Sequence, residues 1–144
     1  MKQSLLACLA ATTLPFSALA QEVITYPFDG SFDDAAFAVE SEIVGRGLVI
    51  DYVSHVGAML ERTRADVGSD VVLFDEANSY LFCSATLSRK VMEADPMNLA
   101  HCPYAVFVAD RGGEVVVGYR AFPAGPMQEV QAFLDEIARA SVEQ

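Results

Sequence analysis

Four residues, Asp110-Arg111-Gly112-Gly113, separate two apolar runs, Tyr104 to Ala109 and Glu114 to Ala121. Paired glycines supply the backbone freedom of a tight reversal. The valines and aromatic residues on either side suit a pleated, half-buried surface. This pattern predicts a β-hairpin in the C-terminal half, and it constrains the fold more than any other stretch.

The remaining elements are predicted around that hairpin. Val23 to Tyr26 is a short β-type run ended by Pro27, and Leu48 to Val53 and Tyr80 to Cys83 read as further strands. Val71 to Phe74 reads as a short extended piece. Ser31 offers an N-cap with Asp34 three residues on, and Phe32, Ala36, Val39 and Ile43 then share one helical face. Gly45 and Gly47 close that helix. Ser54 starts a second helix running to about Asp66. Ser84 starts a third, Ala85 to Ala94, which Asp95-Pro96 stops, and Met97 to Cys102 is left as a loop. Pro126 occupies a first-helical-residue position, and Val130, Phe133, Leu134 and Ile137 form the inner face of a last helix. Interleaved helices and strands with a hairpin predict an α+β fold: a small single-domain sandwich with a mixed or antiparallel sheet packed against helices.

Residues 1–20 carry a different signal. Met1-Lys2-Gln3, an apolar stretch from Ser4 to Phe16 and the ending Ser17-Ala18-Leu19-Ala20 are the three parts of a cleavable secretory signal peptide. The apolar stretch is too short to span a bilayer. Cleavage after Ala20 removes Cys8 and leaves 21–144 as a single α+β domain, expected in an oxidising compartment, which in a bacterium is the periplasm. The chain has 9 basic and 20 acidic residues, a net charge of −11. Losing Lys2 leaves 8 against 20, near −12. Such a chain repels phosphate, so nucleic acid is excluded as a partner, and so is an anionic membrane surface once the signal is cleaved.

After export, Cys83 and Cys102 are the remaining cysteines. Two cysteines in an oxidising compartment ordinarily pair. A bridge would enclose the 18 residues from Ser84 to His101 and add about 3 kcal/mol on the loop-entropy argument. A second reading is a reactive or metal-binding pair. Cys83 precedes a helix N-terminus, where negative charge is favoured, and His101 adjoins Cys102. The Cys-x-x-Cys spacing of thioredoxin-type sites is absent.

Soft and borderline ligand types cluster in two places. His55 and Met59 are four residues apart and fall on one helical face. Met92, Met97 and His101 gather around Cys102 within eleven residues. Imidazole and thioether donors suit copper or a haem iron. The plainer alternatives are core packing for the methionines and capping or hydrogen bonding for His55. Tyr104 and Tyr119 are candidates to line a ligand groove, with half-buried packing as the alternative. Neither a nucleophile elbow of the Gly-x-Ser-x-Gly type nor a phosphate-binding glycine loop occurs. Asp33-Asp34 and Asp75-Glu76 lack the partners that carboxylate catalysis needs.

Three segments carry a resemblance to a known family: Ser54-His55-Val56-Gly57-Ala58-Met59-Leu60; Phe82-Cys83-Ser84-Ala85 with Ser88; and His101-Cys102-Pro103-Tyr104 with Gly118-Tyr119-Arg120. Over about residues 31–122 the chain resembles an exported branch of the domain of unknown function 302 family. The resemblance implies a compact α+β fold and no assigned reaction, and it places any special role of the cysteine pair in this branch.

These readings favour a non-enzymatic periplasmic module that binds a small ligand, a soft metal or haem, or a redox partner protein. A structural or assembly protein with a purely stabilising disulfide and an acidic docking face is the alternative from another class. A thiol–disulfide protein acting through Cys83 is the third. Homodimerisation stays open.

Overall fold

The computed structural model describes residues 23–144, so the signal sequence expected at 1–20 lies outside the described residues. The elements run β1 (Val23–Pro27), α1 (Phe32–Gly45), β2 (Ile50–Ser54), α2 (Val56–Thr63), β3 (Glu76–Phe82), α3 (Ala85–Ala94), a 3₁₀ turn (Pro96–His101), β4 (Tyr104–Arg111), β5 (Glu114–Arg120) and α4 (Met127–Val142). The strands form one sheet in the order β1-β5-β4-β3-β2. Every pairing is antiparallel, which decides between the mixed and antiparallel forms that the sequence left open. The β4–β5 hairpin closes with Arg111 opposite Glu114, and Gly112 and Gly113 both have positive φ.

Alternation along the strands gives the sheet two unlike faces. Tyr80, Phe82, Tyr104, Val106, Val108, Val115, Val117 and Tyr119 point into the core. There they meet Phe32, Val39 and Ile43 of α1 and Val130, Leu134 and Ile137 of α4. The Ser31–Asp34 capping box forms as expected: Ser31 Oγ accepts from the Asp34 amide at 3.1 Å, and the Ser31 amide donates to Asp34 Oδ2 at 3.3 Å. On the opposite face Ser79, Leu81, Ala105, Phe107 and Val116 are only half-buried.

Some expected boundaries move. The second helix ends at Thr63 rather than near Asp66, and irregular backbone follows it through Val71–Phe74, where an extended piece was expected. The strand expected at Tyr80–Cys83 begins earlier, at Glu76, because Ala77 and Asn78 pair with Ala109 and Val108 of the hairpin. Met97 to Cys102, expected as a loop, is largely a 3₁₀ turn whose start is capped by the Asp95 side chain on the Met97 amide.

Candidate functional site

Cys83 follows the last residue of β3, and Cys102 precedes β4 by two residues. Because Phe82 pairs with Tyr104, antiparallel geometry puts the two cysteines at the same end of neighbouring strands. Helix α3 and the 3₁₀ turn form the excursion between them. Their sulfurs lie 3.0 Å apart. A covalent bridge needs about 2.05 Å, so closure requires a shift of roughly 1 Å. Ser84 caps α3 by accepting from the Leu87 amide at 3.4 Å, which fixes the turn that carries Cys83. Ser88, one helical turn further on, donates to the Tyr104 hydroxyl at 3.1 Å and lies 3.8 Å from the Cys102 sulfur.

Burial pushes the Cys83 thiol up to about 11, and the neighbouring Cys102 adds to the shift. The helix N-terminus noted in the sequence does not prevail over this desolvation. A thiol in that range is protonated at neutral pH and is a poor attacking group.

The residues expected as metal ligands do not converge. His55 stands at the N-cap position of α2, and its Nδ1 is 2.9 Å from Asn78 Oδ1. Cys83 is five residues along β3 from Asn78, a span of about 17 Å at strand rise. The His55–Met59 end and the cysteine end are therefore separate regions of the molecule. Met59 is partly exposed, and its sulfur is 3.9 Å from the Thr63 hydroxyl. His101 packs edge-on against Phe122, with ring centroids 5.3 Å apart. Met92 is half-buried on α3, whereas Met97 is 74% exposed. Among the described residues no group of three or more His, Cys, Asp and Glu side chains is arranged to hold a metal ion.

Tyr104 and Tyr119, expected to line a ligand groove, are both about 1% exposed and belong to the core, yet Tyr104 also borders a groove beside the cysteine pair and Tyr119 one beside Tyr26 and Asp135. They sit on the inward face of the hairpin with Val106, which lies opposite Tyr119. Each hydroxyl is satisfied at the core margin, Tyr104 by Ser88 and Tyr119 by Asp135.

Of the groove beside the cysteine pair, sequence reasoning named Tyr104 but missed the rest of the lining. The groove has a volume of about 350 Å³ and begins at Pro103, the residue after Cys102. Val23, Tyr104, Ala105, Phe107, Phe122 and Leu134 line it, and Arg120 is its one charged lining residue among the described residues. The alternation of β4 was the available signal. Ala105 and Phe107 are the apolar residues that point away from α1 and α4, so one side of the hairpin was bound to present apolar surface.

An antiparallel five-stranded sheet with two long helices on one face and a cysteine pair at one end defines a small α+β domain. The chain belongs to the family described as Domain of unknown function DUF302, which it matches over residues 24–140. The match extends the likeness beyond residues 31–122, into β1 and most of α4. The fold is similar to that in the crystal structure of an uncharacterized conserved DUF302 protein from Bacillus stearothermophilus. The TM-score is 0.60 at 15% identity, covering 84% of this chain and 95% of that one. No curated protein matches this chain.

Proposed function

We propose that this chain is an exported, non-catalytic binding module of the periplasm, in which Cys83 and Cys102 form a structural disulfide that holds one wall of the groove at Pro103 to Phe107. The observation that carries the reading is the 3.0 Å approach of the two sulfurs where β3 ends and β4 begins. Bridged there, Cys102 ties Pro103 and Tyr104 to the end of β3 and fixes the groove's rim against the core. The raised Cys83 thiol weighs for a staple over an attacking thiolate. The 1–20 leader supports export, and export supplies the oxidising conditions a bridge needs.

Thiol counting on denatured protein isolated from the periplasm tests the staple, with zero free thiols expected. Two free thiols in protein found outside that compartment would overturn both the export and the disulfide. An absorption spectrum and metal assay of the same preparation test the copper or haem alternative. A haem or copper band that disappears in His55→Ala or Met59→Ala would replace this reading with a cofactor-binding one.

A further inference from the structure

We infer that the groove bounded by Pro103, Phe107, Phe122 and Arg120 takes a small apolar carboxylate, with its body against Phe107 and Phe122 and its anionic end on Arg120. This rests on the binding-module reading and names the ligand class. The volume, about 350 Å³, falls within the range of small-molecule sites, which starts near 300 Å³. The lining is apolar apart from Arg120, so a fully polar solute would lose hydration there without recovering hydrogen bonds.

Selection by charge rests on Arg120, the charged residue of the described lining. The chain has 20 acidic residues, and Arg46, Arg64, Arg89, Lys90 and Arg139 each face a carboxylate at 3.4 Å or less. Arg62, Arg111 and Arg120 make no ion pair among the described residues, and of these three the groove is lined by Arg120. The Arg120 guanidinium instead lies over the Phe122 ring, 5.8 Å from the centroid. The edge-on contact with His101 reaches the same ring and anchors it beside the cysteine pair. A guanidinium on an aromatic face keeps its planar donor fork available, and that fork matches a carboxylate bidentately. The groove thus joins an apolar floor to one cation in a chain whose overall field is negative. That field disfavours polyanions more strongly than a monoanion, so the class narrows to a single carboxylate on an apolar body.

The test is an NMR titration of amide-labelled, oxidised protein with octanoate, octanol and octylamine as probes. Octanoate is expected to shift the amides of Ala105, Phe107, Arg120 and Phe122 and to saturate. Octanol and octylamine are expected to bind at least about tenfold more weakly, the equivalent of one charge-assisted contact. Arg120→Ala should lower octanoate affinity by about the same factor and leave octanol binding unchanged. Equal binding of octanoate and octanol at these amides would overturn the ligand class and leave the groove reading standing. No response to any probe, or shifts confined to another surface, would overturn both. Shifts of the same amides on protein dilution alone, matched by a dimer in sedimentation, would assign the groove to a second copy of the chain and overturn the carboxylate. The disulfide stands or falls separately, on the thiol count.

Discussion

The hydroxyl of Tyr119, on β5, donates to Oδ1 of Asp135, on α4, over 2.6 Å. Tyr26 of β1 donates to the same oxygen, and Arg139 Nε reaches Asp135 Oδ2 at 2.8 Å. The Arg139 guanidinium also covers the Tyr26 ring, 4.5 Å from its centroid. One carboxylate therefore ties the edge strand and its neighbour to the last helix. Burial alone would push the Asp135 carboxyl up, but the hydrogen bonds from Tyr119, Tyr26 and Arg139 outweigh it and hold the carboxyl below the ordinary range. Burial and the same bond push Tyr119 up.

A depressed carboxyl gives a definite pH dependence. Its stabilisation is fully present above the unfolded-state value, near 3.9, and is lost as pH falls through the lower folded-state value. Asp135→Asn is therefore expected to destabilise the protein at neutral pH. The gap between wild type and variant should narrow below about pH 4. Urea unfolding of both proteins from pH 7 to pH 2 measures this, and a gap that stayed constant into acid would contradict it.

Removing one donor should cost less than removing the acceptor. Tyr119→Phe leaves Asp135 with Tyr26 and Arg139, so a loss of about 1 kcal/mol is expected. Tyr119→Phe combined with Asp135→Asn should lose less than the two single losses added together, since the residues share one network. Additive losses in denaturant melts would show that the pair does not act as a unit.

Helix α2 meets β3 without an intervening side chain. A Cβ on Gly57 would lie 2.6 Å from the Ala77 backbone nitrogen and 3.2 Å from the Glu76 carbonyl carbon. Neither neighbour is a side chain that can swing aside. Gly57→Ala should destabilise by about 1–3 kcal/mol, the usual cost of overpacking. Gly45 ends α1 in open space, so Gly45→Ala should be neutral or slightly stabilising. Thermal melts of the two variants should differ in sign or clearly in size.

The cysteine pair predicts an equivalence. If the bridge stabilises by restricting the unfolded chain, Cys83→Ser, Cys102→Ser and reduced wild type should each lose about 3 kcal/mol relative to oxidised wild type. Reductant should then have no further effect on either variant. A Cys83→Ser protein as stable as the oxidised parent would remove the staple's role.

The capping box at Ser31 provides a local test. Ser31→Ala removes both side-chain contacts with Asp34 and should cost about 1 kcal/mol. The change should appear in hydrogen-exchange protection of the first turn of α1 before it appears at β4.

Several elements were readable in advance because their signals are local. Ser31 and Asp34 define a helix start within four residues. Ser84 and Asp95-Pro96 bracket α3 at the limits observed, Ala85 and Ala94. Asp110 to Gly113 defines the hairpin. The boundaries that moved depend on non-local pairing: β3 gains Glu76 to Ser79 from its ladder with β4, which no window around those residues could reveal. The site divides the same way. Cys83 and Cys102 stood out by residue type and by the export expected from residues 1–20, but their approach depends on the Phe82–Tyr104 register. His55 and Met59 matched a spacing that says nothing of a third ligand. Tyr104 and Tyr119 were read as groove lining or half-buried packing, and their full burial was not legible because their neighbours on the strand do not reveal that α1 and α4 cover that face.

By itself the sequence determined the helix starts at Ser31 and Ser84, the hairpin turn at Asp110 to Gly113, and a strongly acidic net charge of −11. Cap chemistry, side-chain period and net charge act over a few residues or over the whole composition, so they need no coordinates. Only the tertiary structure decided the strand order, the separation of His55 from Cys83 and the groove beneath Arg120. These depend on which face of each element is covered by another, and burial is a property of packed surfaces rather than of any stretch of chain.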